Sequence, residues 1–125
     1  MNSTVLVVED NPFNRELASS MLESLGLQVV LANNGQEAID LVKENDFVLV
    51  LMDCQMPVVD GYEATIALRQ LENDGKHLPI IALTANAMSE VQQKCLDAGM
   101  DDFLSKPFTY TQLEAMLKKW NANFD

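Results

Sequence analysis

The chain has 125 residues, 48% of them hydrophobic and 22% charged, and its 8 basic and 19 acidic side chains give a net charge of −11. That length and composition suit a single domain (1–125) with a real core, while the acidity sets a surface that repels phosphate backbones and argues against nucleic-acid binding. No apolar run approaches the ~20 residues that span a bilayer, and Met1-Asn2-Ser3-Thr4 leads directly into a predicted strand. A cytoplasmic domain without a leader or direct membrane contact is therefore expected. Cys54 and Cys95 are too few and too far apart in sequence for a disulfide framework or a zinc site. Both are expected to be reduced thiols with packing roles.

Predicted strands and helices alternate along the chain. Thr4–Val8 is a first apolar strand, ending at Glu9-Asp10. Asn11-Pro12 then supplies an N-cap and a proline at the first helical position. The helix that follows is expected to bury Leu17, Met21 and Leu25 and to stop at Gly26. A short strand over 27–32 precedes a helix opened by Asn34-Gly35, with Ala38, Ile39 and Val42 facing inward. Residues 48–52 are five consecutive apolar side chains, the pattern of a strand buried on both faces. Asp53 follows it directly, and a loop runs over 53–60.

Asp60 and Glu63 are spaced as a capping pair. Their helix carries Ala64, Ala67, Leu68 and Leu71 on one stripe and ends at Asn73-Asp74-Gly75. A fourth strand is predicted over 78–83, with Pro79 tolerated at its start. The helix over 87–98 is expected to bury Met88, Val91, Cys95 and Ala98, with Gly99 as its cap. A short strand over 102–104 follows. Thr109 and Gln112 form a second capping pair, and the last helix presents Leu113, Met116, Leu117 and Trp120 inward. Five βα units in succession predict an α/β, doubly wound parallel sheet with helices on both faces and right-handed crossovers. Periodicity does not give the strand order, although five-stranded sheets of this type often run 2-1-3-4-5. That order would flank the switch point with the first and third strands.

In open α/β sheets, ligands bind at the carboxyl edge. Strand ends here supply Glu9, Asp10, Asp53, Thr84 and, just beyond the fifth strand, Lys106; the second strand offers nothing obviously reactive. Three carboxylates in one crevice repel by roughly 4 kcal/mol per pair at 4 Å and an effective dielectric near 20. A hard divalent cation such as Mg²⁺, with one or two carboxylate ligands, offsets that repulsion. Lys106 helps by lying over one carboxylate. A metal, a hydroxyl and an ammonium around an aspartate are the elements of phosphoryl transfer, with Asp53 as nucleophile forming an acyl phosphate. Singly, each residue has a plainer role. Glu9 and Asp10 suit a helix start, Asp53 a loop cap, Thr84 a strand end, Lys106 a solvated surface and Phe103 the core. Their co-occurrence at successive strand tips is what favours chemistry.

Five segments also resemble a known family. Val7-Val8-Glu9-Asp10-Asn11, Leu51-Met52-Asp53-Cys54-Gln55-Met56-Pro57, Asp60-Gly61, Leu83-Thr84-Ala85 and Lys106-Pro107 occur in the order and spacing of the receiver domains of two-component response regulators. The resemblance covers nearly the whole chain. It implies the 2-1-3-4-5 flavodoxin-like sheet and Asp53 as phosphoacceptor. Asp10 and Asp53 would bind Mg²⁺ directly with the backbone carbonyl of Gln55, and Glu9 would act through water. Thr84 would bond the phosphoryl group and Lys106 would pair with one of its oxygens. Phe103 takes the place of the aromatic switch residue, without a hydroxyl. Gln55 and Asn86 would tune hydrolysis of the acyl phosphate, and Asn86 cannot serve as a base. The family often carries a cis bond before the proline at 107.

Narrower wording, including Asn14-Arg15, Glu63-Ala64-Thr65, Asn86-Ala87 and Gly99-Met100-Asp101-Asp102, is similar to receivers of hybrid histidine kinases in phosphorelays. The implied partners are a histidine kinase or a histidine phosphotransfer domain. One alternative is a degenerate receiver serving as a protein-binding scaffold. Another is a phosphotransferase of the haloacid-dehalogenase type, which normally needs a second Asp where this chain has Gln55. A flavodoxin-like or dinucleotide-binding module would need a glycine pattern that the five glycines do not make.

Overall fold

The structure is a computed structural model that describes residues 4–54, 60–72, 77–85, 88–106 and 108–120. Five strands, β1 (Thr4–Val8), β2 (Gln28–Ala32), β3 (Leu49–Asp53), β4 (Ile80–Thr84) and β5 (Asp102–Ser105), alternate with α1 (Pro12–Ser24), α2 (Gly35–Glu44), α3 (Gly61–Leu71), α4 (Ser89–Ala98) and α5 (Tyr110–Lys119). The sheet is parallel, in the order β2-β1-β3-β4-β5. Every strand runs the same way, so all five carboxyl ends share one edge.

The period of two along a strand divides the core. Val5, Val7, Leu49, Leu51, Ile81 and Leu83 point to one face, against Ala18 and Leu22 of α1 and Leu113 and Leu117 of α5. Leu6, Val8, Val50, Met52, Ile80 and Ala82 point to the other, against Ala38 of α2, Ala64 and Leu68 of α3 and Cys95 of α4. β1, β3 and β4 are thus apolar on both sides, which is why their sequences read as unbroken hydrophobic runs.

Local signals close the elements. Asn11 caps α1 by accepting from the Phe13 and Asn14 N–H groups. Both capping boxes form, Asp60 with Glu63 on α3 and Thr109 with Gln112 on α5. Gly26 and Gly99 end α1 and α4 at φ 88° and 108°, a region that favours glycine. At the first, the Leu27 N–H reaches back to Leu22 O at 3.1 Å and the Gly26 N–H to Glu23 O at 3.0 Å.

Three expected inward residues face solvent instead. Leu17 is 42% exposed, because α1 buries Ala18 and Leu22, each one position beyond the expected Leu17 and Met21, while Leu25 is buried as expected. Leu71 (40% exposed) lies at the frayed end of α3, where buried Thr65 joins Ala64 and Leu68 on the inner face. Met88 (58% exposed) is the N-cap of α4 rather than part of its stripe. Strand limits move by one or two residues: Asp53 and Thr84 are the last residues of β3 and β4, and Ser105 ends β5. The predicted stop at Asn73-Asp74-Gly75 lies outside the described residues.

The end of α5 is tied to β5 through Asp102. Its carboxylate accepts from Lys119 Nζ at 2.6 Å, Trp120 Nε1 at 3.1 Å and the Phe103 N–H at 2.9 Å. Burial raises the pKa of this carboxyl, but those three donors outweigh it and hold it below the ordinary value of 3.8. A lowered folded pKa contributes stability above the unfolded value, and that stability is lost as pH falls through the folded value. Asp102→Asn is therefore expected to unfold at lower urea than wild type at pH 7. The gap should close as pH drops below about 4. The fluorescence of the single tryptophan, Trp120, follows the transition at each pH.

Candidate functional site

The carboxyl edge between β1 and β3 opens into a cleft of about 480 Å³. It is lined by Glu9, Asp10, Asn14, Asp53, Thr84 and Lys106, among others. The sheet register explains the convergence: Val8 lies beside Met52, Asp53 beside Leu83 and Thr84 beside Ser105, so adjacent strands end almost level. One carboxylate oxygen from each of Glu9, Asp10 and Asp53 falls within 4.8 Å of the others. Glu9 and Asp53 are buried (1% and 5% exposed), while Asp10 faces solvent at the mouth.

Lys106 reaches in from beyond β5, its Nζ 3.2 Å from Glu9 Oε1 and 3.5 Å from Asp53 Oδ1. It spans two carboxylates rather than lying over one. Its backbone N–H donates to Thr84 O at 2.7 Å, which anchors the side chain at the tip of β4. Burial lowers the pKa of the ammonium, but Asp53 and Glu9 reverse this and hold it above the ordinary 10.5. Glu9 shows the converse. Burial raises its pKa, while Asp53, Lys106 and a hydrogen bond with Asn14 bring it below the ordinary 4.5. Glu9 Oε2 is buried and has no hydrogen-bond partner. That orphan oxygen, beside two further carboxylates, suits the oxygen-rich coordination of a hard divalent cation.

Thr84 is buried at the strand tip facing the cleft. Phe103 is half-buried, in register with Ala82 two residues before Thr84, and packs on the core facing α2, α3 and α4. The structure therefore brings Glu9, Asp10, Asp53, Thr84 and Lys106 together and sets Phe103 behind them. Gln55, Asn86 and the Lys106-Pro107 bond lie wholly or partly outside the described residues.

Some site features escaped the sequence reading. Asn14 lines the cleft beside Glu9. Just beyond β2, a strand expected to offer nothing obviously reactive, Asn33 accepts from Arg15 Nη1. Cys54 and Cys95, distant in sequence, are both buried with their Sγ atoms 3.8 Å apart. Burial and the neighbouring thiol push Cys54 up to about 12, which keeps it neutral. The packing role expected of the two cysteines is the one they have.

Gly61 has a steric role. Its N–H donates to Cys54 O at 3.2 Å, and a Cβ at this position would sit 2.2 Å from Asp53 O and 2.9 Å from Cys54 Cα. Both obstacles are backbone, so no side chain can move aside.

A family profile for the response regulator receiver domain matches residues 5–118. The chain belongs to that family. The sensor histidine kinase GacS of Pseudomonas protegens is 44% identical over 120 residues, covering 94% of this chain and 13% of the relative. The chain thus spans a small part of the curated relatives it matches. Among solved structures, the receiver domain of sensor histidine kinase PA1611 from Pseudomonas aeruginosa PAO1 is 43% identical with a TM-score of 0.89, covering 98% of this chain and 100% of that one. Its crystal structure has a magnesium ion coordinated in the active site cleft. The receiver domain of Saccharomyces cerevisiae Ssk1, co-crystallised with the histidine phosphotransfer protein Ypd1, is 32% identical with a TM-score of 0.90, covering 99% and 94% of the two chains. The chain is thus a response regulator receiver domain, with the doubly wound sheet order that its resemblance implied.

Replacing Gly61 with alanine should lower stability by about 1–3 kcal/mol through displacement of the β3 tip. Urea denaturation of Gly61→Ala against wild type measures the loss.

Proposed function

We propose that the chain, as one receiver unit over 1–125, accepts a phosphoryl group from a phosphohistidine onto Asp53 and thereby switches its affinity for partners. The observation that carries this reading is the convergence of Glu9, Asp10 and Asp53 within 4.8 Å, bridged on one side by Lys106. Asp10 and Asp53 would hold Mg²⁺, with Glu9 behind them; the orphaned Glu9 Oε2 and the magnesium in the PA1611 receiver support this assignment. When bound, the ion offsets carboxylate charge and that of the phosphoryl oxygens.

The residues divide the remaining work. An Asp53 oxygen attacks phosphorus, an O–P bond forms as the P–N bond breaks, and the imidazole of the donor leaves. Lys106 is already held by two carboxylates at this edge, so its ammonium is placed to meet a phosphoryl oxygen without a large search. The Thr84 hydroxyl sits at the next strand tip and donates to another oxygen. Its inward movement vacates space for Phe103, and the face formed by β4, α4, β5 and α5 changes. The population shifts only as far as the phosphorylated site favours one of the two arrangements. Gln55 and Asn86 are proposed to tune how long the acyl phosphate lasts.

The donor is proposed to be a histidine phosphotransfer domain or histidine kinase, in a cytoplasmic phosphorelay linked to a hybrid kinase. The Ypd1 complex and the GacS likeness support that class of partner. No helix among the described residues is long and apolar enough to cross a membrane. Helix α1, whose first turn lines the cleft through Pro12 and Asn14, exposes Phe13 (74%) and Leu17 (42%), an apolar pair suited to a helical partner that delivers a phosphohistidine to Asp53.

With Mg²⁺ and a small phosphodonor such as acetyl phosphate, intact mass should rise by one phosphoryl group in wild type and not in Asp53→Asn. Equal labelling of the variant would overturn the assignment. Phe13→Ala should slow transfer from a phosphohistidine protein roughly tenfold, the loss of about 1.4 kcal/mol at an interface contact. Its labelling by acetyl phosphate should match wild type. Radiolabel transfer time courses compare the two donors.

A further inference from the structure

We infer that Arg15 is a positioning residue for the metal-binding pocket, holding the Glu9-Asp10 peptide in place through a side-chain bridge to the tip of β2. The inference rests on reading the three-carboxylate cluster as a Mg²⁺ site.

The ladder between β1 and β2 ends at the pair Val8 and Ala32. One further backbone bond follows, from the Glu9 N–H to Ala32 O at 3.1 Å. Beyond it the two chains diverge, Glu9-Asp10 towards α1 and Asn33-Asn34 towards α2. Arg15, in the second turn of α1, fills the gap. Its Nη1 donates to the backbone oxygen of Glu9 at 3.3 Å and to Asn33 Oδ1.

Asn33 is itself held. Its N–H and Nδ2 both donate to Glu37 Oε1 at 3.1 Å, and Glu37 belongs to the first turn of α2, whose N–H is capped by Asn34 at 2.9 Å. A continuous run of hydrogen bonds therefore leads from the start of α2, over the end of β2, to the peptide joining Glu9 to Asp10.

That peptide is planar, so fixing the Glu9 oxygen also fixes the Asp10 N–H and the direction in which Asp10 leaves the sheet. Glu9 is then constrained on both backbone groups by the same neighbour, through its N–H directly and through its carbonyl by way of Arg15. Asp10 is the exposed member of the cluster and has the least packing to orient it. Its placement depends most on the backbone beneath it. A guanidinium suits the task because its fork of donors can serve two acceptors from one fixed plane. The bridge lies behind the carboxylates rather than among them, so Arg15 acts through Glu9 and Asp10. Partners of that kind typically change metal affinity by 10–100-fold when removed.

The test is Mg²⁺ titration by calorimetry on wild type, Arg15→Ala, Arg15→Lys and Asn33→Ala, with the urea midpoint of each as a check on folding. Arg15→Ala should weaken Mg²⁺ binding roughly tenfold, near the low end of the range for such partners. Arg15→Lys should recover only part of the loss. Asn33→Ala should weaken binding in the same direction while leaving Arg15 in place, and it decides the matter if Arg15→Ala does not fold. The effects of Arg15→Ala and Asn33→Ala should be non-additive in the double variant, as expected for one chain of contacts. Affinity within twofold of wild type in folded Arg15→Ala, or in Asn33→Ala if that protein is the one that folds, overturns the inference. A wild type that binds no Mg²⁺ instead overturns the underlying metal reading.

Discussion

Mutual repulsion among Glu9, Asp10 and Asp53 is the constraint around which the carboxyl edge is organised. Isolated in a low-dielectric crevice, three carboxylates this close are unstable as a set. Lys106 relieves part of the strain by standing between Glu9 and Asp53. It comes from beyond the fifth strand, with β3 and β4 lying between it and β1 in the sheet. The cluster therefore exists only when the whole sheet has formed in its native order. Asp10 stays in water, where its charge is cheapest to carry. Glu9 is the most deeply placed acid and keeps one oxygen without a partner. A site with residual negative charge and a vacant acceptor is poised for a cation. The contact with Lys106 helps hold Glu9 below its ordinary value, and the carboxylates hold Lys106 above its own, with burial opposing both shifts.

The sheet can hold such charge because its two apolar faces are separately complete. Alternate residues of β1, β3 and β4 fill the core under α1 and α5 and the core under α2, α3 and α4. Neither core needs the tips of β3 and β4, so their last residues, Asp53 and Thr84, are released from packing duty. The price of this arrangement appears at Gly61, where the chain returns so close to the β3 tip that no side chain fits.

Most of this architecture was legible in the residue pattern. Unbroken apolar runs marked the strands, and the pairs Asp60 with Glu63 and Thr109 with Gln112 marked two helix starts because capping is local chemistry. Inner faces were less secure. Leu17, Met21 and Leu25 repeat every four residues, and so does the buried pair Ala18 and Leu22; the small alanine was passed over although it allows closer approach to the sheet. The carboxylates, Thr84 and Lys106 could be placed because each follows a strand. Arg15, Asn33 and the contact between Cys54 and Cys95 could not, since each depends on how separate elements meet. Strand order is equally non-local, and it came from the common habit of such sheets and from the family resemblance rather than from periodicity.

Helix α4 shows how stability is distributed around the site. Its carboxyl end is held firmly: Arg69 Nε donates to Gly99 O at 2.8 Å, and the same guanidinium meets Glu72 and Asp101 at 2.7 Å each. Asp101 in turn accepts from the Ile80 N–H at 2.8 Å, so the end of α4 is bound to the start of β4. At its amino end the N-cap is Met88, whose side chain makes no capping hydrogen bond. Between the two ends, α4 meets the residue after Asp53 through the Cys54 and Cys95 sulfurs, and Lys94 lies 4.3 Å from the centre of the Tyr62 ring. Soft, non-directional contacts of this kind resist sliding less than charge-assisted hydrogen bonds do. Helix α4 is thus tied by charge-assisted hydrogen bonds at the edge far from Asp53 and, beside Cys54, by the packing of two buried sulfurs.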